Sequence, residues 1–348
     1  MTVENALAAA GRELESLFSH KTPGQDLSQR ANEYTEADDS RQALSGEHNK
    51  GIELAFYGGT FTALDRLDFL ACLQFGEQWR SRGLVEDMRC STRPDALSKD
   101  LLKELAEAGF STVELGVQSF SDRALSESRR GYSGKQAVRA CEMVKEAGLR
   151  LGIQLLPGMP GHSLAQARDD LDQSLALCPS FVRLYPCLVL EGTALAAMWR
   201  RGQYRPWELE QAVTFLAEAC HAFRKSGIPV IRMGLAEEPG LARSVLAGPR
   251  HPSIGSMARS RALLLYVREQ LDAFAETSAD TGALPAGTYG LSVPRRFQGE
   301  FWGQGCELEA EYAALGIHRA NVSWWDEDRF LVEAETVEEP DDKSRKAR

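Results

Sequence analysis

Between residues 51 and 235, short runs of apolar and β-branched residues alternate with longer segments whose apolar residues recur at helical spacing. Such alternation is typical of repeated β-α units, which form a parallel sheet covered by helices. Six strands are predicted, the last of them a candidate for the end of the sheet: 51–57, 86–92, 112–117, 150–156, 181–185 and 229–234. We therefore expect an α/β fold built on a parallel sheet.

Glycines mark the ends of the helical segments. Gly83, Gly109, Gly148 and Gly227 each stand just after a helical run and before a predicted strand. A helix commonly ends in a left-handed residue, a conformation that costs glycine little because it has no Cβ. Four such stops in phase with the strands strengthen the prediction of a barrel-like fold.

The flanking segments divide the rest of the chain. A helix is predicted at 3–18, and the polar stretch up to residue 50 is expected to be a flexible connection. The barrel is assigned to 51–262 and a small cap to 263–334, with a hairpin at 321–332. The charged tail, 335–348, is expected to be disordered.

Composition limits the class of protein. The net charge of −10 weighs against a protein that binds nucleic acid mainly by neutralising phosphates, although a local basic groove stays possible. No run of eighteen apolar residues and no secretory signal is present, so we expect a cytoplasmic protein without a membrane association.

The seven cysteines do not form a short metal-binding spacing. The closest pair, Cys178 and Cys187, is nine positions apart. In a reducing compartment the cysteines are most simply interpreted as small buried apolar residues.

Polar or glycine-rich segments follow five consecutive predicted strands. They are YGGTF at 57–61, STRPD at 91–95, ELGVQSF at 114–120, QLLPGMPG at 154–161 and RLYPCLVLEGTAL at 183–195. Each alone has a structural explanation, such as a tight turn at a Gly-Gly pair. A buried Glu114 or Gln118, however, is costly unless it is paired. Because strand ends meet at one edge of a barrel, together they predict a ligand site.

In order and spacing, these segments resemble the radical S-adenosylmethionine (radical SAM) superfamily, and within it the elongator catalytic subunit and its shorter bacterial relatives. VIRMGL at 230–235 and AGPRHP at 247–252 follow in the expected order. The resemblance implies a partial (β/α)₆ barrel of the TIM type that lacks its first strand, with a small C-terminal α+β cap. Elongator proteins also carry an acetyltransferase domain, and nothing after residue 263 resembles one.

The resemblance also implies a cofactor site for S-adenosylmethionine. Gly58, Gly59 and Thr60 match the segment that holds the amino group of the cofactor, and Ser91 matches a position on the adjoining strand.

Comparison with oxygen-independent coproporphyrinogen oxidase, a more distant relative, implies three further cofactor-binding residues. Gln118 would lie near the ribose and Arg130 near the carboxylate, an anion that guanidinium binds well. Gln154 replaces an acidic ribose-binding residue of that relative.

The chain departs from the family in its iron–sulfur motif. Family members carry C-x-x-x-C-x-x-C, whose three thiolates bind a [4Fe–4S] cluster. No such motif is present here, and no metal ligand is assigned. The first helix resembles the one that follows the cluster loop, so we expect the chain to begin just downstream of that loop. A start codon assigned too far into the gene and a true loss of the cluster both explain this. The first is favoured, because a barrel without its first strand exposes a sheet edge.

Two functions follow from these observations. The intact protein is expected to cleave S-adenosylmethionine reductively at a [4Fe–4S] cluster and to generate a deoxyadenosyl radical that acts on an unknown substrate. The alternative is a cluster-free barrel that acts as a binding or scaffold protein. For the substrate, the acidic net charge favours a small molecule or a protein over transfer RNA.

Overall fold

The computed structural model describes residues 2–19, 52–235, 239–279 and 289–334. The helices are α1 (Val3–Ser19), α2 (Arg66–Ser81), α3 (Lys99–Glu107), α4 (Asp122–Glu127), α5 (Gly134–Glu146), α6 (Leu164–Leu177), α7 (Ala194–Arg200), α8 (Leu209–Lys225), α9 (Pro239–Ser244), α10 (Ile254–Ala279) and α11 (Glu309–Ala314). The strands are β1 (Ile52–Phe56), β2 (Val85–Thr92), β3 (Phe110–Gln118), β4 (Arg150–Leu155), β5 (Phe181–Leu184), β6 (Val189–Leu190), β7 (Val230–Met233), β8 (Val245–Ala247), β9 (Tyr289–Pro294), β10 (Val322–Trp325) and β11 (Leu331–Ala334).

The chain forms two compact units. The first comprises Met1–Phe215 and Ala222–Pro252, and the second comprises Leu216–His221 and Ser253–Arg348.

The first unit is built on a six-stranded parallel sheet with the order β1-β2-β3-β4-β5-β7. Arg183 of β5 donates a hydrogen bond of 2.7 Å to the hydroxyl of Tyr57, which follows β1. Three strands separate β1 from β5 in the sheet, so this bond crosses its interior and shows that the sheet is curled. The predicted α/β fold with a partial barrel is confirmed, including the candidate sixth strand.

Helices cover the outer face of the sheet. Successive side chains of a strand point to opposite faces, and Val113, Leu115 and Val117 of β3 are completely buried on one of them. Helices α2, α3 and α5 pack against β2, β3 and β4. Their apolar residues, such as Leu105 of α3 and Val144 of α5, have no exposed surface.

Local signals in the sequence explain where these helices begin and end. Ser133 and Ser163 each accept a hydrogen bond from the third helical backbone N–H, and a glutamine at that position bonds back to the cap residue. At the other ends, the predicted stops at Gly83, Gly109 and Gly148 have φ of 71°, 91° and 74°, which is the left-handed region.

The second unit has a mixed three-stranded sheet of order β10-β9-β11, parallel between β10 and β9 and antiparallel between β11 and β9. The hairpin predicted at 321–332 is therefore wrong. Its two strands are present, but β9 lies between them. Leu291 and Val293 of β9 are buried and alternate with more exposed neighbours. This alternation is the sequence signal typical of a strand, although no strand was predicted here.

Four cysteines are buried as predicted, namely Cys72, Cys90, Cys141 and Cys187. Cys178 and Cys306 are exposed, so the prediction fails for them. Both have a positive φ at the end of a helix or in a turn, positions that lie at the surface.

The connection up to residue 50, which was predicted to be flexible, and the tail 335–348, which was predicted to be disordered, lie outside the described residues. Among the described helices, none is long and apolar enough to cross a membrane.

The interior of the sheet is tightly packed at Gly152 of β4, which provides a test of the fold. A Cβ added there would lie 2.5 Å from the ring of Phe181 and 3.0 Å from Cγ of Glu114. We expect Gly152→Ala to lower the free energy of unfolding by about 1–3 kcal/mol, because the overpacked side chains must shift. Urea denaturation followed by circular dichroism measures the change.

Gly290 of β9 offers a matched control, because the nearest atom to its added Cβ is the carbonyl oxygen of Glu333 at 3.9 Å. Gly290→Ala should leave stability unchanged or slightly raised, since alanine loses less backbone entropy on folding. Equal stability of both variants would contradict the proposed packing of the interior.

Candidate functional site

The carboxyl end of β1 leads into an open glycine turn. Gly58 and Gly59 have φ of 111° and 125°, values that other residues rarely adopt. Among the described residues, no heavy atom beyond their chain neighbours lies within 4 Å of the position that a Cβ would occupy. The backbone of this turn is therefore accessible to a ligand.

The segment after the turn is tied to β2. Thr60 precedes a short 3₁₀ helix, Phe61–Ala63, and its carbonyl accepts a hydrogen bond of 2.9 Å from Ala63. The hydroxyl of Thr62 lies 2.6 Å from that of Thr92 and donates to the carbonyl of Ala96, also at 2.6 Å. Ser91, half-buried, precedes Thr92 and points to the opposite face, where it pairs in register with Glu114.

Gln118 ends β3 in a strained conformation. Its φ is 64°, a left-handed value that costs a non-glycine residue about 1–2 kcal/mol. The residue is only 8% exposed, and its Oε1 has no hydrogen-bond partner. A strained backbone and an unpaired buried acceptor are both unusual outside functional sites. Together they indicate that a polar ligand completes this position.

Arg130 lies in the loop between α4 and α5, and hydrogen bonds draw this loop toward the end of β3. The carbonyl of Arg130 accepts from Nη2 of Arg93 at 2.5 Å, and the hydroxyl of Tyr132 donates to the carbonyl of Gly116 at 2.9 Å. Burial raises the pKa of Tyr132 to about 12, and the positive charges of Arg130 and Arg93 act in the opposite direction. The backbone of Arg130 is therefore held near the carboxyl ends of β2 and β3.

The remaining predicted residue, Gln154, lies within β4. It is half-buried and pairs in register with Arg183 of β5, whereas its neighbour Leu155 pairs with Gln118. The predicted residues that lie on β1 to β4, or directly after them, are therefore near the carboxyl ends of these strands. Their roles toward a cofactor stay predictions.

A cavity of about 560 Å³ lies beside Arg130. It is lined by Asp122, Ser126, Arg129, Gly131, Tyr132, Ser133 and Gln136. Gly58, Gly59, Gln118 and Arg130 are not among its lining residues.

The sequence did not predict the ion-pair cluster in the interior of the sheet. Glu114 is 2% exposed, and its carboxylate lies 3.2 Å from Nη1 of Arg89 and 3.1 Å from Nε of Arg183. The hydroxyl of Tyr57 donates to the same carboxylate, and Arg89 also pairs with Glu53. Burial, reinforced by the charge of Glu114, raises the pKa of Tyr57 far above its usual range. Tyr57 therefore keeps its proton and remains a donor.

A second network that the sequence did not predict connects the loops after β3 and β4. His162 Nε2 lies 3.1 Å from Asp170, whose other oxygen accepts from the backbone N–H of Phe120 at 2.8 Å. The N–H of Gly158 donates to His162 Nδ1 at 3.3 Å, and the hydroxyl of Tyr204 donates to the carbonyl of Gly158 at 2.7 Å. These bonds hold the residues that follow Gln118.

The resemblance to the radical SAM superfamily implies two bound groups, S-adenosylmethionine and a [4Fe–4S] cluster, and the described residues fit these two groups differently. The open glycine turn and the unpaired Oε1 of Gln118 fit a polar organic cofactor. In the part of the chain that the structure describes, no three His, Cys, Asp or Glu residues are grouped so that they could hold a metal ion. These residues therefore do not fit the [4Fe–4S] cluster.

Comparison with known proteins identifies the family. The family model for the radical SAM superfamily matches residues 24–173, and the model for the radical SAM C-terminal domain matches residues 179–263. The chain belongs to the radical SAM superfamily.

Several relatives are elongator proteins. The tRNA uridine(34) acetyltransferase of Methanocaldococcus infernus is 33% identical over 194 residues, which cover 50% of this chain and 36% of that protein. Elongator complex protein 3 of Mus musculus is 29% identical over 132 residues, 36% of this chain and 24% of its own length. The chain thus matches 36% of the length of the first relative and 24% of the length of the second.

Among solved structures, the archaeal Methanocaldococcus infernus Elp3 with an N-terminal deletion of residues 1–46 is similar in fold. The TM-score is 0.51 at 27% sequence identity, over 60% of this chain and 53% of that one.

These relatives correct the expected substrate. The preference for a small molecule or a protein over transfer RNA is wrong, because three similar curated proteins are tRNA uridine(34) acetyltransferases. Net charge misled the prediction because it averages over the whole chain, whereas nucleic acid contacts a local surface. At this edge of the sheet Arg129 is exposed, and Arg232 is exposed on β7.

The strain at Gln118 predicts an unusual effect on stability. Gln118→Gly removes both the left-handed non-glycine residue and the unpaired acceptor, so the protein should become about 1 kcal/mol more stable. Gln154→Gly, in regular strand conformation, should instead lose about 1 kcal/mol. Thermal unfolding of the two variants makes the comparison, and an equal loss in both would show that Gln118 is not strained.

Proposed function

We propose that the carboxyl edge of the sheet binds S-adenosylmethionine and that the protein acts on transfer RNA. The observation that carries the cofactor proposal is Gln118, a buried, left-handed residue with an unpaired acceptor. Membership of the radical SAM superfamily supports the choice of cofactor.

Each predicted residue has a complementary part of the cofactor. The backbone of Gly58 and Gly59 receives the amino group, because no side chain blocks the approach. A ribose hydroxyl donates to Oε1 of Gln118, and the carboxylate pairs with the guanidinium of Arg130.

The remaining assigned residues border these contacts. Thr60 continues the glycine turn, Ser91 lies on the adjoining strand, and Gln154 lies next to the register partner of Gln118.

Reductive cleavage of the cofactor requires an electron, which a [4Fe–4S] cluster supplies in this family when it is bound. The described residues contain no ligand set for that cluster, so its ligands are not assigned. What these residues contribute is binding and orientation of the cofactor.

Transfer RNA is proposed as the substrate because of the similar tRNA uridine(34) acetyltransferases. The acetyl transfer in their name is not carried over, since the chain matches only 36% of each of these two proteins. Exposed Arg129, which follows α4, offers a cation for a phosphate next to the cofactor edge.

The glycine turn provides the first test. Gly59→Val should reduce the affinity for S-adenosylmethionine below detection, because a branched side chain would occupy the approach to the backbone. Gly83→Val also puts a branched side chain at a positive φ, 71° at the end of α2, where the described surroundings are equally open. Calorimetry should show that the control still binds. Unchanged affinity in Gly59→Val would place the cofactor elsewhere.

Filter binding with bulk transfer RNA at two salt concentrations tests the substrate. We expect retention at low salt that decreases at high salt, as the release of counterions from phosphates requires. Arg129→Gln should weaken binding about three- to tenfold and make it less sensitive to salt.

Arg139 on α5 supplies a control of equal charge. It is an exposed residue paired with Glu142 and Glu146, and surface ion pairs of this kind contribute little to stability. Arg139→Gln should bind like the wild type. If the wild-type chain did not retain transfer RNA at low salt, the proposed substrate would be wrong.

A further inference from the structure

The glycine turn that follows β1 has little packing against the part of the chain that the structure describes. Gly58 and Gly59 are exposed, and no atom of the described residues outside the turn lies within 4 Å of their Cβ positions. A turn with such freedom would sample many positions, since glycine loses more conformational entropy on ordering than any other residue. Something outside the turn must therefore set its position relative to the rest of the sheet.

Tyr57, the residue directly before the turn, is held at its hydroxyl. The hydroxyl donates to Oε1 of Glu114 on β3 and accepts from Nη2 of Arg183 on β5 at 2.7 Å. The Arg183 guanidinium carbon also lies 5.1 Å from the centroid of the Tyr57 ring. The side chain of Tyr57 is thus fixed at its far end by two strands that do not neighbour β1.

The acceptor for this hydroxyl is itself immobile. Glu114 is 2% exposed and is held by Arg89 at 3.2 Å and by Arg183 at 3.1 Å. The two arginines are 17% and 15% exposed, so the cluster is largely shielded from water and its hydrogen bonds are strengthened. Because Glu114 and Arg183 are both held in place, the phenol of Tyr57 can make both hydrogen bonds in only one position.

We propose that Tyr57 is a positioning residue: its hydroxyl, held between Glu114 and Arg183, sets the Gly58–Gly59 backbone where it receives the amino group of S-adenosylmethionine. This inference rests on the proposed cofactor site and adds the tether that fixes its glycine turn. Tyr57 does not contact the cofactor through its hydroxyl. It acts through the backbone that follows it.

A pair of ligands separates positioning from general stability. S-adenosylmethionine carries the amino group that the turn receives, whereas 5′-methylthioadenosine keeps the adenosine and the sulfur but lacks the amino and carboxylate groups. In the 348-residue chain, Tyr57→Phe removes both hydrogen bonds of the tether and should weaken the affinity for S-adenosylmethionine about five- to tenfold. Its affinity for 5′-methylthioadenosine should stay within about twofold of the wild type. Calorimetry measures both affinities.

Tyr185→Phe is the matched control. Its hydroxyl accepts from Nη1 of the same Arg183 at 3.4 Å, but Tyr185 follows β5 and is linked to Tyr57 only through that guanidinium. The control should bind both ligands like the wild type. Because Tyr57 is 51% exposed, the phenylalanine variant should fold, and its melting temperature verifies this.

The outcomes separate the two proposals. A selective loss for S-adenosylmethionine supports the tether. An equal loss for both ligands, or no loss, overturns it while the cofactor site stands. If the wild-type chain binds neither ligand, the cofactor site is wrong, and the tether with it.

Discussion

The carboxylate of Glu114 is the interaction on which the interior of the sheet depends. Barrel interiors of this type are usually filled by branched apolar side chains. Here one buried carboxylate meets two guanidinium groups and a phenol that come from three other parts of the sheet. Removing the carboxylate would leave the largely buried guanidinium of Arg183 without this counter-charge, and a loss of this kind typically costs about 3–5 kcal/mol. The curl of the sheet and the charges in its interior are therefore maintained together.

This charged interior contrasts with the edge above it, where the structure is strained and open. Gln118 is left-handed with an unpaired acceptor, and the glycine turn has empty space around it. Strain of this kind persists only when the surroundings hold it in place. The Asp170–His162 network and the Tyr57 tether supply that support, one on each side of the edge. A rigid interior beneath an unfilled edge is the arrangement expected of a preorganised ligand site.

The sequence predicted those features that arise from nearby residues. Strand and helix periodicity, and glycine stops such as Gly109 at φ 91°, depend on a few neighbours and were recognised correctly. The partners of Glu114 were not predicted, because Arg183 is 69 positions away and approaches Glu114 only when the sheet is curled. The sequence indicated that a buried Glu114 needs a partner, but it did not indicate which residue is that partner. The same limit applies to β9, whose place between β10 and β11 is a matter of topology.

The correction of the substrate follows from the same distinction between local and summed properties. A net charge of −10 is a sum over the whole chain and does not say where the charged groups lie. Charges more than a Debye length apart, about 8 Å at physiological salt, are largely screened from each other. A phosphate at the edge of the sheet would therefore respond to exposed Arg129 far more than to distant carboxylates. An acidic protein with a small cationic edge is compatible with a transfer RNA substrate, and the strength of binding should depend on those few residues.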